Sequence, residues 1–151
     1  MRSQARKQRG VAAVEFGLLA VILITIAFGA TEFGRAFYQY NTVLKAARAA
    51  AREFTLPNPA LTAAARKDRA QCLAAYGHYC VSGGTNVAVL EGLTKEMVVL
   101  DDPPLSCAFD SHPCAYVCAT ISGFKFVSYV PWIVPDITFA SISACMRQLS
   151  Q

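Results

Sequence analysis

The chain has 151 residues, 54% of them hydrophobic, with a mean hydropathy of +0.35 and a formal net charge of +4. That length bounds it to one domain, or to one modest domain plus a membrane segment. The charge argues against a nucleic-acid patch, because Arg2, Arg6, Lys7 and Arg9 precede Gly10 and the ten basic residues that follow balance the ten acidic ones.

In chain order the first element is this basic leader, residues 1–10, in which no acidic residue occurs. From Val11 to Thr31 only Glu15 is charged. As a helix that run is roughly 31 Å long, enough to cross a hydrocarbon core. Basic residues before an apolar span mark the cytoplasmic side, so the N-terminus is expected inside and everything after about residue 31 outside. Glu15 is the anomaly, since a carboxylate in a membrane helix is costly. One explanation is an interfacial residue at the edge of the span. Another is processing: cleavage after Gly10 would leave an α-amine on Val11, mostly charged at neutral pH, one helical turn from Glu15. A glycine at such a bond leaves the backbone open to close approach by a peptidase. A third reading, ordinary signal-peptidase cleavage at the small residues Ala27 to Ala30, would release a soluble domain and leave Glu15 without a purpose.

Beyond the apolar run the helical pattern continues. Phe33, Ala36, Phe37, Tyr40, Val43, Leu44, Ala47, Ala50, Ala51 and Phe54 recur at steps of three and four, predicting one helix of over 40 residues whose second half is amphipathic. Gly29 and Gly34 are weak points where it could bend, and "LPNP" (Leu56 to Pro59) ends it. The face beyond about Val43 is expected to pack on a sheet, and the part before it is open to the helices of other subunits. A second helix is predicted from Ala60 to about Tyr76. The stretches "NVAVLEG", "EMVVLD", "AYVCATISGFKFVSYV" and "ITFASISACM" are rich in β-branched and aromatic residues and predict strands. "DDPPLS" and "VPWIVPD" predict loops; the second carries the only Trp and could be an interaction surface, although a Trp that anchors a loop to a core is the commoner case.

Cys72, Cys80, Cys107, Cys114, Cys118 and Cys145 all follow the apolar run. An even number of cysteines in a small exported domain favours disulfides, although the spacing does not select a connectivity. His78 with Cys80, and His112 with Cys114 and Cys118, match zinc spacing only weakly, and no metal or cofactor is expected. Two histidines, with no Gly-x-Ser-x-Gly or phosphate-binding loop, assemble no nucleophile and base, so an enzyme is not expected.

"GVAAVEF" after a basic leader resembles the signal of type IV pilin-like proteins, which a prepilin peptidase cuts after Gly with Glu at mature position five. More specifically, "VEF" (14 to 16), "EFGRAFYQYN" (32 to 41) and "AAR" (46 to 48) resemble the N-terminal region of TadE-like proteins, minor pseudopilins of tight-adherence (Flp pilus) secretion systems. The resemblance covers residues 9 to 54, with a looser match at "ITFASISACMRQ"; position 11 is Val where major pilins commonly carry Phe. It implies processing at Gly10 and Val11, and peptidase recognition and assembly through Glu15 and Phe16. It also implies, as partners, a prepilin peptidase, other pilus subunits and an inner-membrane assembly platform, with no nucleic acid. Among disulfides the expected set is Cys72 with Cys80 and Cys107 with Cys114, which close short loops, and Cys118 with Cys145, which the family outline places on adjacent strands.

The expected architecture is α+β and pilin-like: a cleaved leader at 1–10, a transmembrane helix at 11–31, its amphipathic continuation at 32–56, and a disulfide-containing periplasmic head at 57–151. The expected role is a structural minor pseudopilin in the bacterial inner membrane that primes or assembles a Flp-type pilus. The alternative is a single-pass anchored periplasmic scaffold or adhesin that never enters a filament.

Overall fold

A computed structural model describes the backbone of residues 3–56, 58–83, 85–101, 105–109 and 112–148, with side chains for 10–56, 58–83, 85–101 and 115–148. The fold is α+β, with a long N-terminal helix, a shorter second helix and a small antiparallel sheet. It divides into two units. One carries the first helix up to Phe37 together with Val127–Asp136, and the other carries Tyr38–Phe126 with Ile137 onward.

Helix α1 (Ser3–Thr55) is assigned without a break, Gly29 and Gly34 included. It ends where the Thr55 hydroxyl donates back to the Arg52 carbonyl (2.7 Å), just before Pro57 and Pro59 in the sequence. Helix α2 (Ala63–Tyr76) starts later than its composition suggests, because the Thr62 hydroxyl accepts from the Ala65 N–H (3.2 Å) and makes Thr62 the cap. It stops at Gly77, whose φ of +73° suits the left-handed capping position while its N–H bonds the Leu73 carbonyl at 2.9 Å.

A short 3-10 turn (Lys95–Met97) leads into β1 (Val98–Leu100), followed by β2 (Leu105–Phe109), β3 (His112–Ile121), β4 (Lys125–Phe126), β5 (Ile137–Thr138) and β6 (Ile142–Gln148). The ten-residue β3 organises the larger sheet. Its residues 119–121 pair with β1 and 112–116 with β2, end to end along one edge, while 115–121 pair with β6 on the other. The Asp101 N–H continues the β1 edge by bonding the Cys118 carbonyl (3.1 Å). β4 and β5 form a separate two-stranded ladder.

The core of this unit is a stripe on α1 laid over one sheet face. Val43, Ala46, Ala47, Ala50, Ala51 and Phe54 are buried, and they cluster with Val98, Leu100, Val117, Ala119, Ile121, Phe124 and Ile142. Alternation sends Val117, Ala119 and Ile121 inward and leaves Cys118 and Thr120 on the other face. The four alanines let the helix backbone approach the strands closely, so added volume has nowhere to go. Ala50→Leu is expected to cost about 1–3 kcal/mol in the urea unfolding of the solubilised protein, through overpacking.

Two of the expected disulfides are present, Cys72–Cys80 after α2 and Cys118–Cys145 across β3 and β6. Cys107 and Cys114 stand opposite each other in the β2–β3 register, but their side chains lie outside those described. The Cys118–Cys145 bond joins residues 27 apart. Removing it with Cys118→Ser and Cys145→Ser together is expected to lower the unfolding free energy by about 3.5 kcal/mol through the freed chain, read as an earlier urea midpoint.

Several strand predictions need correction. "NVAVLEG" (Asn86 to Gly92) forms no strand: the Val89 N–H bonds the Ala75 carbonyl at the end of α2, and Gly92 turns the chain at φ +85°. "AYVCATISGFKFVSYV" is divided at Gly123 (φ +78°) into β3 and β4, and "ITFASISACM" contributes to both β5 and β6. The "LS" of "DDPPLS" already belongs to β2.

Candidate functional site

The sequence singles out one end of α1. Gly10, Val11, Glu15 and Phe16 all lie on the helix and are exposed, Val11 by 61% and Phe16 by 71%. Val11 and Glu15 are four residues apart, so they share a helix face. Glu15 has no hydrogen bond or ion pair among the described residues. A Cβ at Gly10 would meet nothing within 4 Å, so packing does not require glycine there, and glycine inside a helix costs about 1 kcal/mol relative to alanine. Gly17 and Gly34 are equally open, so what distinguishes Gly10 is its place at the junction of the basic N-terminal residues and the apolar run.

The surface that follows is uncovered. Leu18, Leu19, Val21, Ile22, Leu23, Ile24 and Ile26 are each more than half exposed, and α1 is long and apolar enough to cross a membrane. One N-terminal helix of this kind fits a single-pass membrane anchor.

One residue past the apolar run lies a cluster that the sequence reading did not single out. Glu32 is only 3% exposed. Arg35 clasps its carboxylate with two of its three guanidinium nitrogens, Nη2 to Oε2 at 2.8 Å and Nε to Oε1 at 3.3 Å. The Ser128 hydroxyl (3.0 Å) and the Tyr129 N–H (3.3 Å) also donate to Oε2. Arg35 in turn donates to the Val127 carbonyl and stacks over the Tyr129 ring at 4.1 Å. A buried carboxylate is tolerated only when so satisfied. The Arg35 hydrogen bonds hold the Glu32 carboxyl below its ordinary value of 4.5, against the burial that pushes it up. The arrangement clamps the segment after β4 onto the helix. An acid and a base three residues apart, directly after the last apolar turn, were the available signal; Ser128, 96 residues away, left none.

The clamped segment carries Trp132, which is 76% exposed and does not anchor a core, contrary to the commoner expectation. The zinc candidates are also resolved in part, since Cys80 and Cys118 have their sulfurs in disulfides.

The fold and this uncovered helix define a class first: an α+β protein with a single N-terminal helix suited to membrane anchoring. Residues 10–52, the stretch of helix that includes both Glu15 and the Glu32–Arg35 pair, then match the family model of TadE-like protein. Comparison with curated proteins and with solved structures returned no match.

Proposed function

We propose that this chain is a TadE-like minor pseudopilin, a structural component for assembling or priming a Flp-type tight-adherence pilus. Its precursor sits in the inner membrane with the leader cytoplasmic and the disulfide-bonded head, residues 57–151, periplasmic. A prepilin peptidase cuts between Gly10 and Val11, with Glu15 and Phe16 part of what it recognises. The new α-amine on Val11 then meets the Glu15 carboxylate, on its own helix or on a neighbour's, and the pair offsets the cost of carrying both charges out of water. Residues 11–31 cross the bilayer until the subunit joins others, and residues 32–56 carry the helix on toward the head.

The observation that carries this reading is Glu15, exposed and without a hydrogen bond or ion pair among the described residues, five residues after Gly10 on a TadE-like helix whose large apolar side chains from Leu18 to Ile26 are more than half exposed. The test is the first residue of the protein recovered from membranes, by intact mass and N-terminal sequencing. A start at Val11 is expected. A start at Met1 would leave an anchored scaffold or adhesin, and one near Thr31 a released domain.

A further inference from the structure

The segment Val127–Asp136 has an unusual combination of properties. From Val127 to Pro135 it has no charged residue, and its outward side chains are apolar or aromatic: Val127, Tyr129 and Trp132 are 56%, 78% and 76% exposed. Solvated loops are normally polar, and contiguous exposed apolar surface marks a place where something docks. Tyr129 and Trp132 are the residue types that combine an apolar body with a polar tip, as the boundary between lipid and water requires.

The backbone N–H groups of this segment are also satisfied to a degree an ordinary loop does not need. The Ser128 N–H goes to the Asp136 carboxylate (3.0 Å), Tyr129's to Glu32 (3.3 Å) and Val130's to the Ser128 hydroxyl (3.0 Å). Those of Ile133 and Val134 both go to the Val130 carbonyl, at 2.9 and 3.0 Å. Positions 131 and 135 are proline and have no N–H to satisfy. From Ser128 to Pro135, every backbone donor other than Trp132's is thus bonded within the unit or absent. Internally satisfied donors lower the cost of placing irregular backbone at the edge of a hydrocarbon phase, where the carbonyls can still meet water and headgroups.

Position completes the case. The segment is docked on α1 where the apolar run ends: Ile133 lies 3.7 Å from where a Gly29 side chain would begin, and Glu32 holds Ser128 and Tyr129 one turn on. The same helix face that would leave the bilayer at about Thr31 therefore carries an uncharged aromatic loop at that level.

We propose that Val127–Asp136 is a membrane-interface anchor, with Trp132 and Tyr129 seated among the phospholipid headgroups and upper acyl chains of the leaflet through which α1 leaves. This rests on the reading of α1 as a membrane span. The loop would fix how deep and at what rotation the helix sits before the subunit is extracted, and Glu32 would be the buttress that holds it there.

Trp132 is the only tryptophan in the chain, so its emission reports the loop alone. The full-length protein is reconstituted at low protein-to-lipid ratio in phosphatidylcholine vesicles whose acyl chains carry bromine either near the headgroup or near the chain ends. Trp132 is expected to emit at short wavelength, to lose most of its emission to shallow bromines and little to deep ones, and to resist aqueous iodide. A second protein with Trp132→Phe and Ile22→Trp reports the span, and its emission is expected to be quenched most by deep bromines. If Ile22→Trp is quenched and Trp132 instead responds only to iodide, the loop is not an anchor although the span stands. If neither responds to bromines, the span reading fails and takes the proposal with it. If Trp132 resists both quenchers and becomes iodide-accessible on dilution with lipid, a second copy covers it and the bilayer is the wrong partner.

Discussion

Gly10→Ala is expected to leave the protein in the membrane at full length, with no detectable species beginning at Val11. Alanine is the better helix former by about 1 kcal/mol, and its Cβ meets nothing within 4 Å, so the change strengthens α1 locally. A loss of processing therefore could not be attributed to misfolding; it would mean that a peptidase needs the bare backbone at that bond. Pulse-labelling followed by intact mass distinguishes the two forms. Glu15→Gln separates the next step. If the carboxylate serves the new amine, this variant is still cut to Val11 but enters filaments poorly, by roughly tenfold or more, because a buried ion pair that loses one partner costs several kcal/mol. Filament entry is read as the fraction of subunit recovered in sheared pili against that left in membranes. Normal incorporation of the Gln variant would remove the reason proposed for Glu15.

Glu32→Ala is expected to release Val127–Asp136 from the helix while the sheet stays folded. The substitution leaves the Ser128 hydroxyl, the Tyr129 N–H and the Arg35 guanidinium without their shared acceptor. Hydrogen exchange at Tyr129 and Val130 should quicken by roughly an order of magnitude or more, while exchange at Val117 in β3 stays as it was. Equal acceleration at both places would mean that Glu32 supports the whole fold and not the loop. The same clamp predicts a pH dependence. A folded carboxyl held below its ordinary value of 4.5 contributes stability that is fully present above that value and is lost as the pH falls through the lowered one. The loop should thus remain docked from neutral pH down to mild acid and open only below about 4.5, with Glu32→Gln open across the range.

Much of this molecule was legible from local pattern. The apolar run, the three-and-four spacing of Val43, Ala47, Ala50 and Phe54, and the prolines after Leu56 specify α1 and the face it buries, because helix periodicity and chain termination are short-range effects. The disulfides Cys72–Cys80 and Cys118–Cys145 were also anticipated, the first from its short loop and the second from the TadE-like outline. Strand identity was harder to read. "NVAVLEG" has the composition of a strand but lies as an irregular segment tied to α2 at Ala75, whereas β3 gained two partners on one edge that no local pattern announces.

By itself the sequence determined where charge and hydrophobicity change along α1, and hence the basic N-terminal stretch, the apolar run and the place of Gly10 and Glu15 between them. Only the tertiary structure decided what becomes of Glu32 and Trp132. Local pattern leaves Glu32 an ordinary acid after an apolar run and Trp132 an aromatic in a proline-rich loop. Their surroundings depend on contacts between segments 96 or more residues apart, where Ser128 and Tyr129 bring hydrogen-bond donors to a buried carboxylate in the segment that exposes the tryptophan. Such contacts are set by how the chain packs, and no short-range periodicity encodes them.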